Sequence, residues 1–497
     1  MTEDAVVEVT DSKAIELIFG FVGPTGVDLD LACEVLVEQL KAVRYESRVI
    51  RSRDVISLQG NVPTSECERI EKFMDAGNEL RSSNANDAVV ALRGIAHIRK
   101  LRAEITQDSN SPASAMAYIV RSLKRKEEVD LLRRVYGKAF TLISVYATQT
   151  TRVKNLALRF TRDGMQSNDA DEAALRVVNR DHKEEAKLHG QRVVDTFPLA
   201  DFFATADTRT HMEPQFRRLT RLIFGDPYIS PNRDEQGMFF AQAAALRSLD
   251  LSRQVGAAVL SPRGDVLATG CNDVPTFGGG LYWADDDEPM RDYELGYDSN
   301  SSIKAEIVAD TIRKLRDDGW ANEKYDGVSN ETFANGALFG EGALLKQSRL
   351  SDLIEFGRAV HAEMDCITQA ARLGISLKGS RLFSTTFPCH LCARHIVAAG
   401  VEEVVFIEPY EKSRTATLYR DSIVVEPHEQ SKKRVNFISF VGVAPRRYMA
   451  YFMNRTGRKT DDGKTLESSQ ITANPRLQRL VITYINAEEY VLSLVKV

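Results

Sequence analysis

The sequence predicts an α/β protein built as two domains. Three observations predict it. At 497 residues the chain exceeds what one hydrophobic core ordinarily holds. Roughly the first 200 residues alternate short apolar runs with amphipathic stretches, the pattern of strands and helices in a doubly wound, mostly parallel sheet. A polar, turn-rich joint at 205–234 then leads to a second pattern that opens on a strand hairpin. The expected division is a first domain at 1–210, a linker at 211–234 and a second domain at 235–497.

Taken in order, Leu17 to Val22 is an apolar run suited to a buried parallel strand. It runs into Gly23-Pro24-Thr25-Gly26, and residues 29–43 carry Leu31, Val35, Leu36 and Leu40 at helical spacing. Further strands are expected at 48–50, 117–120 and 141–146, the last two separated by a charged helix at 126–136. Beyond the joint, a helix at 236–252 precedes strands at 255–260 and 266–270 around the Pro-Arg-Gly-Asp turn at 262–265. Residues 276–358 break the rhythm with three consecutive glycines, an acidic cluster at 285–288 and one clear helix at 303–319. They read as an insertion.

Composition narrows the classes. Apolar residues are 43% and charged residues 27%, which excludes a chain disordered by composition. A net charge of -5 gives no polyanion-wrapping surface over the whole molecule and leaves a local basic patch open. No apolar run reaches the roughly 18 residues of a membrane span. Met1-Thr2-Glu3-Asp4 lacks the basic and apolar regions of a signal peptide, so a soluble, cytoplasmic protein is expected. Six cysteines in so long a chain are no disulfide framework, and only Cys389 and Cys392 stand close together.

That pair carries the strongest signal. His361-Ala362-Glu363 is followed by Pro388-Cys389-His390-Leu391-Cys392. One imidazole and two thiolates hold a zinc ion with the fourth tetrahedral position left for water, the arrangement of a catalytic site. Glu363 is spaced to reach that water without ligating. Both segments are expected to open helices, whose N-termini stabilise thiolates. A Cys-x-x-Cys alone is also a redox pair or half of a structural zinc site. The full pattern, H-x-E and then P-C-x-x-C, is the zinc deaminase signature. Cys366, His390 and His395 read as packing or surface residues.

On these residues the second domain resembles the cytidine deaminase-like fold, a three-layer α/β/α architecture, and within it the deoxycytidylate deaminases. The stretches Ser252-Arg253-Gln254-Val255-Gly256-Ala257 and Thr269-Gly270-Cys271-Asn272-Asp273 are similar to that branch's first hairpin. The resemblance implies one catalytic Zn²⁺ per chain held by His361, Cys389 and Cys392, with Glu363 as proton shuttle. It also implies substrate contacts at Asn272, on the deoxyribose, and at Ala362. The insertion holds neither His nor Cys, so no second zinc is expected there.

The first domain resembles P-loop NTPases and nucleotide kinases in outline, with Gly23, Thr25 and Gly26 where a phosphate loop belongs. Val27 and Asp28 stand where the lysine and hydroxyl of that loop are required, so the domain is degenerate. Two readings stand, a plain scaffold or a non-hydrolysing sensor of a regulatory nucleotide, and the second is preferred. Asn78 to Arg81 and the stretch 179–191 are similar to base-binding and lid regions. Residues 410–460 carry eleven Lys and Arg, Lys412 among them, against four acids. They are a solvated surface or a pocket for substrate phosphates, with Arg446 the best candidate.

The fusion resembles the bacterial anti-phage deoxycytidine nucleotide deaminases. That resemblance implies hydrolysis of dCTP or dCMP to deoxyuridine nucleotides, depletion of dCTP, and restraint by the fused domain or an inhibitory small RNA. A homo-oligomer and no membrane partner are expected. The alternative is a deaminase acting on a base in RNA or single-stranded DNA, which needs basic tracks with stacking aromatics. A non-catalytic switch that kept a zinc fold is disfavoured by the intact Glu363.

Overall fold

The computed structural model describes residues 15–58, 63, 65–182, 190, 192–206, 208–320, 327–340, 342–346, 348–409, 413–427, 429–454, 457–465, 475 and 483–494. Among them are the strands β1 (Leu17–Val22), β2 (Glu46–Ile50), β3 (Met116–Val120), β4 (Phe140–Tyr146), β5 (Phe202–Thr205), β6 (Gly256–Leu260), β7 (Val266–Cys271), β8 (Arg381–Thr386), β9 (Glu403–Glu408), β10 (Ile423–Val425), β11 (Val435–Ser439) and β12 (Gly442–Val443). The chain divides into two compact units. The first takes the described residues of Met1–Glu235 and Phe440–Val497, the second those of Gln236–Ser439. Each is an α/β unit on a six-stranded, parallel-rich sheet.

The first sheet has the order β12-β5-β4-β1-β3-β2. Its five long strands run parallel, with Phe19 opposite Ile119 on one side and Gly20 opposite Leu142 on the other. All residues of β1 and β3 are buried, as parallel strands covered on both faces must be. The helix Leu29–Ala42 starts where it does because the Asp28 carboxylate accepts the Leu31 N–H at 3.0 Å.

Two expected boundaries differ from the structure. The supposed linker at 211–234 is mostly the helix Arg209–Ile223, whose Met212, Phe216, Leu219 and Leu222 sit fully buried in the first core. Their spacing of four and three residues is an amphipathic stripe hidden among arginines. The end of the supposed second domain belongs to the first unit. There β12 pairs antiparallel with β5, Gly442 opposite Phe203, and the Phe440 ring meets Phe203 edge-on at 5.7 Å. Another helix of that segment, Thr483–Ser493, brings Glu488 into a buried cluster with Arg102 and Glu16, Arg102 donating to both carboxylates at 2.7–3.1 Å.

The second sheet has the order β10-β11-β9-β8-β6-β7. β6 runs antiparallel to β7 and β8, and the strands from β8 to β10 are parallel. Alternate residues of β6 face opposite layers. Ala257 and Val259 pack with Ala362, Cys366 and Ala370 of one helical layer. On the other side the helix Arg233–Ala245 lies so close that a Cβ on Gly256 would stand 1.9 Å from the Ala241 carbonyl oxygen. That helix stops at Ala245 rather than near 252, because Ser248 to Ser252 turn back through Asp250, whose carboxylate takes the Ser252 N–H at 2.9 Å. The insertion holds Ser299–Asp317 and a second helix, Asn330–Leu338, which share a small core of Val308, Ala334 and Leu338.

Candidate metal centre and its pocket

His361 and Cys389 occupy equivalent positions. Each is an extended residue immediately before a helix, His361 capping Ala362–Leu373 and Cys389 capping His390–Ala398. The Cys389 sulfur accepts the Cys392 N–H at 3.4 Å, so the first turn of its helix delivers both thiols to one side. His361 Nδ1 lies 3.2 Å from Cys389 Sγ and 3.3 Å from Cys392 Sγ. Among the described residues this is the one His/Cys/Asp/Glu group whose donor atoms could share a metal ion.

The electrostatics favour a cation. The Cys392 hydrogen bond draws Cys389 down to about 4 against its burial, with the His361 hydrogen bond and charge adding to it. Cys392 is pushed up by the same hydrogen bond and by burial. Burial would lower His361, but the Cys389 hydrogen bond and charge raise it to about 9. The trio thus holds protons that a divalent ion releases on binding. Two soft sulfurs and one imidazole nitrogen are the donor chemistry of zinc.

Glu363 is buried beside this set, its carboxyl raised by burial and then by the Cys389 charge. Ser384 Oγ is 3.5 Å from Glu363 Oε1. The expectation for the other nearby residues is met. Cys366 is fully buried in the core, His390 faces Glu355 at 3.8 Å, and His395 Nδ1 meets the Leu391 carbonyl at 2.8 Å.

A cavity of about 370 Å³ opens beside His361 and Cys389. His361, Ala362, Glu363 and Cys389 form its floor and Asn272 a wall. The Asn272 amide ties the ends of the hairpin, accepting from Val255 N–H at 2.7 Å and donating to the Arg253 carbonyl at 2.8 Å. One amide N–H and one oxygen lone pair remain for a ligand. Sequence reasoning missed Asp250 and the contribution of the insertion, which adds Asn300, Lys304 and Asp352 to the lining. The Ser-Leu-Asp turn at 248–250 and the Asp298 cap of Ser299–Asp317 were the available signals, and neither is specific. Arg446 does not line this cavity. It pairs with Asp201 at 3.5 Å and donates to the Leu199 carbonyl at 3.1 Å, within the first unit. The basic stretch is therefore divided, 414–434 in one unit and 446–459 in the other, and Lys412 lies outside the described residues.

Residues 231–408 match the family described as the cytidine and deoxycytidylate deaminase zinc-binding region. This stretch is a cytidine/deoxycytidylate deaminase-like domain of the zinc-binding type. The deoxycytidylate deaminase of Enterobacteria phage T2 is 38% identical over 55 residues, 11% of this chain and 29% of that protein. The ComE operon protein 2 of Bacillus subtilis is 35% identical over 54 residues, 11% of this chain and 29% of that protein. A probable deoxycytidylate deaminase of Drosophila melanogaster is 38% identical over 63 residues, 13% and 29% of the two chains. The chain spans less than a third of the length of these curated relatives. No helix among the described residues is long and apolar enough to cross a membrane.

Proposed function

We propose that this protein deaminates deoxycytidine nucleotides, dCMP or dCTP, to deoxyuridine nucleotides by hydrolysis. The observation that carries the reading is the buried Glu363 beside converging His361, Cys389 and Cys392. His361 Nδ1 and the two sulfurs would hold one zinc ion per chain. Zinc, when bound, supplies the Lewis acidity that makes water a nucleophile near neutral pH. Glu363 would move two protons in turn: it takes the first from the attacking water and delivers it to N3 of cytosine, then takes the second from the hydroxyl now on C4 and passes it to the amine, which leaves as ammonia as the C4–N bond breaks and the C4 carbonyl forms. Its burial keeps bulk water from competing for that proton. Asn272 has the remaining hydrogen-bond capacity for the deoxyribose, and Lys304 and Arg253, the latter also paired with Glu408 at 3.1 Å, are the Lys and Arg side chains of a lining that also carries Asp250, Asp292, Asp298 and Asp352.

The biological output we infer is loss of dCTP as a defence against phage, in the cytoplasm and under restraint. Chemistry supports the restraint, since unregulated turnover would drain a DNA precursor. An inhibitory small RNA and self-association are the partners the resemblance implies. Ammonia release from dCMP, dCTP, CMP, CTP and a short oligonucleotide tests the substrate class. Turnover of deoxycytidine nucleotides alone is expected, and preference for the oligonucleotide would move the assignment to polynucleotides. In cells, dCTP should fall and deoxyuridine nucleotides rise on infection, and neither should change with Glu363→Ala.

A further inference from the structure

The first unit holds a basic cavity that deamination does not use. It opens beside Gly23 to Gly26, the loop at the carboxyl end of β1. β1 lies mid-sheet between β3 and β4, and open α/β sheets bind ligands outside the carboxyl ends of such strands. The cavity measures about 590 Å³, a volume suited to a ligand of nucleotide size. Seven of its lining side chains are cationic and one, Asp30, is acidic. Arg51 and Arg121 share Asp30, and Arg69 and Arg159 share Glu66, so the cations are not neutralised one for one. Arg81, only 2% exposed, pairs with the buried Glu128 at 3.1 Å, yet its Nε has no hydrogen-bond partner among the described residues, and neither has Arg121 Nε. Burying such a donor unpaired is costly, and a bound anion removes the cost. Ile70, Phe73 and Met74 give the cavity an apolar wall.

The loop already holds an anion of its own. The Thr25 N–H donates to Asp181 Oδ2 at 2.6 Å, and Lys124 Nζ donates to Asp181 Oδ1 at 2.8 Å and to the Gly23 carbonyl at 3.2 Å. Asp181 is fully buried. A glycine loop between strand and helix offers N–H groups to phosphate. Here a carboxylate from the helix Ser167–His182 sits in that place, and the lysine comes from beyond β3. Gly26, at φ +96°, keeps the loop tight against Arg152, whose carbonyl oxygen would lie 2.6 Å from a Cβ there.

We propose that this cavity binds a phosphorylated ligand of the nucleotide class, and that Asp181 holds the loop's phosphate seat until a phosphate of the ligand displaces it. The apolar wall takes the base. Val27 and Asp28 supply no lysine or metal-binding hydroxyl, and Asp28 is engaged as a helix cap, so the ligand is held rather than hydrolysed. Displacing a paired carboxylate makes binding weak in the native chain.

Calorimetric titration of the full-length protein with ATP, dTTP and inorganic tripolyphosphate tests this apart from deamination. Asp181→Asn should tighten nucleotide binding at least tenfold. Arg51→Ala with Arg53→Ala, at side chains 39% and 68% exposed, should weaken it at least tenfold with zinc content unchanged. Tripolyphosphate should bind more weakly than either nucleotide. No binding by any probe, or equal affinity in Asp181→Asn and wild type, overturns the proposal. Should Asp181→Asn fail to fold, hydrogen exchange in the wild type decides. ATP should speed exchange at the end of the helix Ser167–His182, and a protein that binds ATP with no change there overturns the displacement.

Discussion

Replacing Gly256 by Ala should destabilise the deaminase-like unit through a single methyl group. Its Cβ would stand 1.9 Å from the Ala241 carbonyl oxygen and 2.5 Å from the Ala245 nitrogen, where ordinary contact begins at 3.4 Å. The helix Arg233–Ala245 or the strand must therefore retreat by about 1.5 Å. Both obstacles are backbone atoms that cannot swing aside as a side chain would. Overpacking costs ~1–3 kcal/mol, and a backbone clash against a buried strand belongs at the upper end, about 3 kcal/mol. For a unit of this size each kcal/mol lowers Tm by about 2–4 °C, so a fall of about 6–12 °C is expected. The site should feel it. Val255 N–H is held by Asn272 and Gly256 N–H by Thr385 Oγ1 at 3.1 Å, so a shifted strand moves the cavity wall and raises KM more than it lowers kcat. Scanning calorimetry of the full chain, with the unit's transition identified by its response to zinc chelation, measures the first effect. A variant melting within about 1 °C of wild type would refute the packing argument.

Three further outcomes follow from the same structure. Arg102→Ala leaves Glu16 and Glu488 buried without their shared partner and should cost about 3–5 kcal/mol, read by urea unfolding, with zinc content unchanged. Burial pushes Cys33 and Cys271 from 9.0 up to about 12, so the unfolded chain loses these protons first. The stability they contribute is full below pH 9 and declines as pH rises from about 9 toward 12; unfolding at about pH 8.5 and about pH 10.5 should show the loss, reduced in Cys33→Ala. Cys389→Ser and His361→Ala should each lose the metal, measured by elemental analysis, because each removes one of three donors.

Much of the site was legible because its chemistry is local. His361 and Glu363 are two residues apart, Cys389 and Cys392 three, and each pair rides the start of one helix. The strands β1, β3, β4 and the hairpin β6–β7 were legible for the same reason, as apolar runs bounded by turns. What stayed hidden depends on pairing between distant residues. Nothing near Gly442 signals that it will meet Phe203, and Arg446 reads as a free cation until Asp201 is seen beside it. The helix Arg209–Ile223 looks polar because six arginines and threonines are interspersed among its five apolar core residues. Asp181 is one acid in a charged stretch until the fold brings it to Thr25, 156 residues away.

The central claim is that Glu363 moves protons while His361, Cys389 and Cys392 hold the metal. Zinc content and ammonia release measured together on purified Glu363→Ala, with dCMP and dCTP as substrates, test it most directly. About one zinc per chain with no detectable ammonia is the predicted result. Ammonia release at the wild-type rate, or a Glu363→Ala protein that has lost its zinc, would contradict it.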